Sequence, residues 1–261
     1  MTAPPDPPKP AAGHDPGLLI TQPVGDERAA PQPAPAPPAA ELLGQRIGQY
    51  RIVRELGGGG MGVVYEAEHE SIGQRAAVKA LRPQVSSDPA FVQRFFNEAR
   101  AATIAQHASL VKIFDYGQLP SGVLYMLMEF LEGELLRARL DRLKTLSEAE
   151  ALRISRQIAA AIAFVHQKEI VHRDLKPENI FIVKDVEAES GERAKILDFG
   201  LAKISAVSSS GRHRTSAHAV AGTPIYMAPE QCRGLSQAGS PADVYSLGIM
   251  LYEMLIGEQP Y

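Results

Sequence analysis

The sequence predicts a two-lobed α+β fold, and three observations carry that reading. Residues 50–81 and 111–130 place apolar positions in strand-like runs around turn residues. Residues 148–166 repeat apolar side chains at helical spacing instead. The change of character falls at 129–133, so strands come first and helices follow about a joint there.

Ahead of the first strand lies a different kind of chain. Twelve of the 20 prolines fall between Pro4 and Pro38, with alanine filling much of the rest. Such a segment has too few apolar side chains to offset the entropy of ordering it. Residues 1–48 are therefore expected to form a disordered or polyproline-like tail. The globular part is expected to span 49–261, divided into 49–131 and 132–261.

Tyr50, Ile52, Val53 and Leu56 lead into a glycine cluster, and Val63-Val64-Tyr65-Glu66-Ala67 lead out, which predicts a hairpin. Residues 76–81 read as a third strand. Phe91, Phe95, Ala99, Ala102 and Ile104 then recur near helical spacing over 89–106, with Asp88 as N-cap and Pro89 in the first turn. Two more strands, 111–114 and 123–130, flank the turn Pro120-Ser121-Gly122. Ser147 and Glu150 have the spacing of a capping box and open the helix that carries Ile154, Ile158 and Ile162. Short strands are expected at 180–183 and 195–197.

Composition narrows the function. A hydrophobic share of 45% suits a packed core, and a net charge of -3 gives no attraction for nucleic acid or a membrane surface. Cys232 is the single cysteine, so neither a disulfide framework nor a cysteine metal site can be built, and a reducing, cytoplasmic setting is expected. Cys232 itself reads as a small packing residue. The opening residues lack the basic-then-apolar pattern of a secretory signal. The run 247–256 contains Glu253 and is too short to span a bilayer.

The chemistry concentrates in His172-Arg173-Asp174-Leu175-Lys176-Pro177-Glu178-Asn179, followed by Asp198-Phe199-Gly200. Phosphoryl transfer from a nucleotide needs a carboxylate to orient the attacking hydroxyl, a cation beside the transferred group, and oxygen ligands for magnesium. Asp174 suits the first role and Lys176 the second, while Asn179 and Asp198 offer hard oxygen ligands. Gly57, Gly59, Gly62 and Val64 fit a glycine loop between two strands, where backbone amides can approach phosphate oxygens. Lys79 on the third strand can reach the same phosphates. Glu98, in the predicted helix, is its expected ion-pair partner, with Glu66 and Glu70 as rivals.

These motifs, in this order, resemble a bacterial eukaryotic-like (Hanks-type) serine/threonine protein kinase. The resemblance covers 49–261 and extends through Gly222-Thr223, Met227-Ala228-Pro229-Glu230 and Asp243-Val244-Tyr245-Ser246-Leu247-Gly248. It implies a kinase fold with a β-rich N-lobe and a helical C-lobe, transferring the ATP γ-phosphate to protein serine or threonine. By resemblance, Met128 is the gatekeeper of the adenine pocket. The Glu129 carbonyl and Leu131 backbone meet the adenine edge, Val64 and Ala77 cover its face, and Leu56 is a further candidate for binding the nucleotide. Glu134 is a candidate for the ribose. Lys176 and Thr223 imply serine/threonine acceptors. Arg173 implies a loop regulated by phosphorylation, for which Thr215 and Ser216 are the candidates.

Two departures from the pattern stand out. Residues 184–193 insert charged side chains before Asp198, which reads as a surface hairpin. The sequence ends where the family continues with further helices, leaving the apolar helix 244–256 uncovered. Uncovering large apolar side chains forfeits about 1.5–3 kcal/mol each, against a total stability of roughly 5–15 kcal/mol. A fragment, or a chain whose 244–256 face needs a partner, is the expectation. The alternative function is a kinase-like nucleotide- or partner-binding module without transferase activity.

Overall fold

The structure, a computed structural model, describes residues 42–59, 62–82, 92, 93, 95, 96, 99, 100, 103, 106–188, 190–198, 224–233 and 239–260. Strands β1 (Arg46–Ile47), β2 (Tyr50–Gly58), β3 (Gly62–His69), β4 (Arg75–Leu81), β5 (Ile113–Gln118) and β6 (Leu124–Glu129) form one antiparallel sheet in the order β1-β2-β3-β4-β6-β5. The predicted strands are present, but the one expected at 111–114 lies at 113–118 and the one expected at 195–197 lies at 192–196. The Pro/Ala-rich stretch 1–41 lies outside the described residues. Residues 42–48, assigned to the tail from composition, instead begin the sheet. Leu42 and Ile47 are buried there, two apolar anchors that the proline-rich stretch lacks.

Alternation along the strands gives the sheet two apolar faces. Val63, Tyr65 and Ala67 on β3, with Ala76, Val78 and Ala80 on β4, close over Leu42, Ile47 and Ile52. Ala77, Leu81, Met126 and Met128 point the other way and join a core that continues into the helical region. The described helical residues between 92 and 103 lie on this second side, with Phe95 and Ala99 buried.

After β6 comes a strand too short to show a period in the sequence. β7 (Gly133–Leu135) pairs with β8 (Ile180–Lys184), which pairs with β9 (Glu192–Ile196) in a second sheet. Gly133 has φ +156°, and a Cβ there would lie 1.9 Å from the Ile182 carbonyl oxygen. Only glycine lets the two backbones come this close. Gly133→Ala combines steric overlap with an unfavourable backbone, each about 1–3 kcal/mol. Urea unfolding is expected to show a loss of about 2–6 kcal/mol in total.

Helices α1 (Leu136–Leu143), α2 (Glu148–His166), α3 (Pro229–Arg233) and α4 (Ser240–Ile256) make the second lobe. The Ser147 hydroxyl accepts from the Glu150 amide at 3.3 Å, the N-terminal half of the predicted capping box. Ala151, Ile154, Ile158, Ile162 and Val165 form the buried stripe of α2, against which α4 packs through Met250 and Met254. Val244, Tyr252 and Ile256 on α4 are exposed.

One buried cation ties this lobe together. Arg139 on α1 donates to Glu134 on β7, Glu150 on α2 and Glu192 on β9, each at 2.8 Å. Glu192 belongs to the charged insertion at 184–193, so the hairpin is fastened to the helices. The hydrogen bond from Arg139 holds the Glu192 carboxyl below its ordinary value of 4.5, and Arg142, then Arg139, do the same for Glu134. A carboxyl whose folded pKa is depressed stabilises the fold above its unfolded pKa and loses that stabilisation as pH falls through the folded value. Thermal melts should therefore show stability declining below about pH 4.5. Arg139→Met should lower stability at pH 7 and flatten that decline.

Candidate active site

The second sheet positions the acid-rich segment. Ile180 pairs with Ile196, and the Leu197 amide donates to the Asn179 carbonyl at 2.8 Å. Residue 179 therefore stands beside 197, one position before Asp198. A single 3-10 turn, Pro177–Asn179, brings the chain back from Asp174. The Asn179 side-chain amide donates to the Asp174 carbonyl oxygen at 2.8 Å and to its carboxylate at 3.0 Å. Lys176 lies 2.9 Å from the same carboxylate. Asp174, Lys176 and Asn179 thus form one interlocked group.

Below this turn sits a buried acceptor whose role the sequence alone did not reveal. Asp243 on α4 is fully buried and accepts the His172 amide at 2.8 Å and the Arg173 amide at 2.7 Å. His166, the last residue of α2, reaches the same carboxylate at 2.8 Å through Nε2. Arg173 adopts φ +65°, and its carbonyl accepts from Gln231 on α3 at 2.9 Å. An arginine in that conformation carries strain, and these bonds at both ends hold it there. His172 is completely buried, and burial pushes its pKa down, so its ring is neutral. Its Nδ1 accepts the Asp174 amide at 3.3 Å, which leaves Nε2–H to donate to the Leu197 carbonyl at 3.2 Å.

From the large sheet, Lys79 reaches Asp198 with a separation of 2.5 Å. Glu98, its expected partner, lies outside the described residues. The rivals are engaged elsewhere: Glu66 with Arg54 and Arg75, and Glu70 with Arg46 and Arg51. Both ammonium groups of the candidate site therefore rest on its carboxylates, Lys79 on Asp198 and Lys176 on Asp174.

The residues expected around a nucleotide come together on β2, β3, β4 and β6. Ala77 pairs with Met128 and Val64 with Lys79, while Leu56 is exposed on β2 and Leu131 follows the end of β6. Among the glycines, Gly62 answers to a packing demand, since a Cβ there would lie 2.3 Å from the Ala80 carbonyl oxygen. Gly57 and Gly59 face open space, with nothing within 4 Å of an added Cβ. Their lack of a side chain is not required by the protein's own packing. Glu129 turns its carboxylate to the Lys112 amide and to Lys195, both at 2.7 Å. Glu134, the ribose candidate, is held by Arg139 and Arg142. Thr215, Ser216 and Thr223 lie outside the described residues.

A divalent cation fits the chemistry of the two oxygen donors. The amide nitrogen of Asn179 is spent on Asp174, which leaves its side-chain oxygen as the free end, and Asp198 supplies a carboxylate. Among the described residues no cluster of three or more His, Cys, Asp or Glu side chains could hold a metal. Two protein oxygens with phosphate and water completing the shell is the arrangement magnesium favours.

Comparison with known proteins agrees with this geometry. A protein-family model described as the protein kinase domain matches residues 50–261. Serine/threonine-protein kinase Pkn1 of Myxococcus xanthus is 42% identical over 236 residues, covering 89% of this chain and 32% of that protein. Serine/threonine-protein kinase PrkC of Bacillus subtilis is 40% identical over 221 residues, with 84% and 32% covered. This chain thus spans about a third of the length of these curated relatives. The crystal structure of the Mycobacterium tuberculosis PknI kinase domain superposes with a TM-score of 0.66 at 27% identity, over 84% of this chain and 78% of that one. No helix among the described residues is long and apolar enough to cross a membrane. The chain belongs to the protein kinase family, among the bacterial Hanks-type serine/threonine kinases, phosphotransferases whose phosphoryl donor is ATP.

Proposed function

We propose that this chain transfers the γ-phosphoryl group of ATP to serine and threonine hydroxyls of protein substrates. The observation that carries the reading is the joining of two groups across the molecule. Asp174, Lys176 and Asn179 are locked in one turn, and Asp198 beside them is reached by Lys79 from the large sheet. ATP is assigned to the surface formed by Leu56, Gly57, Gly59, Gly62, Val64, Ala77, Lys79, Met128, Glu129 and Leu131. Asn179 and Asp198 are assigned to hold magnesium, which when bound would offset the charge of the nucleotide phosphates.

In this reading the Asp174 carboxylate accepts a hydrogen bond from the acceptor hydroxyl, turns its oxygen toward the γ-phosphorus, and takes its proton as the new ester bond forms. The bond from the γ-phosphorus to the β,γ-bridging oxygen breaks, and that oxygen leaves with ADP. Lys176, 2.9 Å from Asp174, stands where negative charge gathers on the transferred group. Nucleotide phosphates compete with Asp198 for the Lys79 ammonium, which frees that carboxylate for its metal role. Glu98 is assigned to orient Lys79. Phosphorylation of Thr215 or Ser216 is assigned to pair with Arg173, with Thr223 supporting the acceptor site. The setting proposed is cytoplasmic, with protein rather than nucleic-acid partners.

Incubation with γ-labelled ATP and a generic protein acceptor tests the proposal. Label should enter the acceptor only when magnesium is present, and Lys79→Met should remove nearly all of it. Equal labelling by the two proteins would contradict the assignment.

A further inference from the structure

A cleft that shares only Glu129 with the surface assigned to ATP lies behind the last residue of β6. It has a volume of about 380 Å³ and is bounded by the segment 106–113, Glu129 and Lys195. That size lies within the range of small-molecule sites, roughly 300–1,000 Å³. Its floor is apolar, with Leu110 and Ile113 buried, and its polar lining sets three donors, His107, Lys112 and Lys195, beside Thr103, Gln106 and Glu129.

The donors are specific. Both lysines line the cleft: Lys195 is mostly buried with its ammonium on Glu129 at 2.7 Å, and Lys112 is exposed with its ammonium 5.9 Å from the centre of the Phe114 ring. His107 accepts the Ser109 amide through Nδ1 at 3.1 Å, which puts the ring proton on Nε2. That Nε2–H has no partner among the described residues. Burial, then the nearby Arg193, push the His107 pKa down and keep the ring in this neutral, donating form. Glu129 is the one carboxylate in the lining, so two lysines against one glutamate leave a formal charge of +1. A mere packing gap would be lined by apolar atoms. This one is lined by an ammonium that rests on Glu129 and by an imidazole N–H, groups that an acceptor-rich occupant can engage.

We propose that this cleft binds a small oxyanion, a metabolite bearing phosphate or carboxylate, at Lys112, Lys195 and Nε2 of His107. The anion displaces the Glu129 carboxylate from Lys195. The binding requires no phosphoryl transfer and stands apart from the function proposed above. The site is also wired to Asp198. The Val111 amide donates to the Ile196 carbonyl at 3.0 Å, and the Ile196 amide to the Ser109 carbonyl at 2.8 Å. The cleft wall and the strand leading to Asp198 are one ladder, so anion and nucleotide affinities should be coupled reciprocally.

The test is titration of the 261-residue chain carrying Lys79→Met, which weakens the nucleotide phosphate site, with inorganic phosphate and separately with succinate. Calorimetry should show saturable single-site binding of at least one of them, and which one distinguishes phosphate from carboxylate ligands. Adding Lys112→Ala, an exposed position whose loss leaves the fold intact, should weaken that binding about tenfold or more, the scale of a lost charge-assisted hydrogen bond. Lys195→Met should do the same, and Asp174→Asn should leave it unchanged. Absence of saturable binding by both anions, or binding that survives both lysine substitutions, would overturn the proposal.

Discussion

Replacing Asp174 by asparagine is expected to cut phosphoryl transfer by about 10²–10⁴-fold, the usual contribution of a positioned general base. The size follows from what asparagine keeps and what it loses. Its side-chain oxygen can still accept from the Asn179 amide, which now meets the carboxylate at 3.0 Å, so the turn survives. It cannot take a proton, and it offers Lys176 no charge. The loss should appear in kcat with little change in the KM for ATP, because Asp174 is assigned to the acceptor hydroxyl and not to the nucleotide. Steady-state kinetics over a range of ATP concentrations separates the two. A defect confined to KM would place Asp174 in nucleotide binding and remove it from the chemical step.

Asp243→Ala should be the most damaging change outside the reacting groups. It strips the partner from the His172 and Arg173 amides and from the His166 ring at once. Each donor left unsatisfied costs about 1–3 kcal/mol, so a loss on the order of 3–9 kcal/mol is expected for the three. That is a large share of a domain stability of roughly 5–15 kcal/mol. Denaturant unfolding measures the total. Hydrogen exchange at residues 172 and 173 locates it, since those amides should lose protection even where the rest of the fold survives. Asp243→Asn, which retains one acceptor oxygen, should be milder on both measures.

Much of this was visible in the sequence because it is local. Strand alternation in 50–81 set the two faces of the sheet, and the Ser147–Glu150 spacing marked the start of α2. Asp174, Lys176 and Asn179 lie within six residues of one another, so that they meet could be read from spacing alone. The missed features depend on partners far along the chain. Asp243 meets His172 across 71 positions and Lys195 meets Glu129 across 66. Both pairs are set by how strands and helices pack, and no local pattern records that. β7 was missed for a different reason: three residues do not show a period. The boundary at residue 48 was misplaced because composition averaged Leu42 and Ile47 into the proline-rich segment preceding them.

Phosphoamino-acid analysis tests the central claim most directly. The chain and a generic protein acceptor are incubated with γ-labelled ATP and magnesium, beside the Asp174→Asn protein, then hydrolysed and separated. The predicted result is label on serine and threonine alone, at least about a hundredfold above that from Asp174→Asn. Label on tyrosine, or equal label from the two proteins, would contradict it.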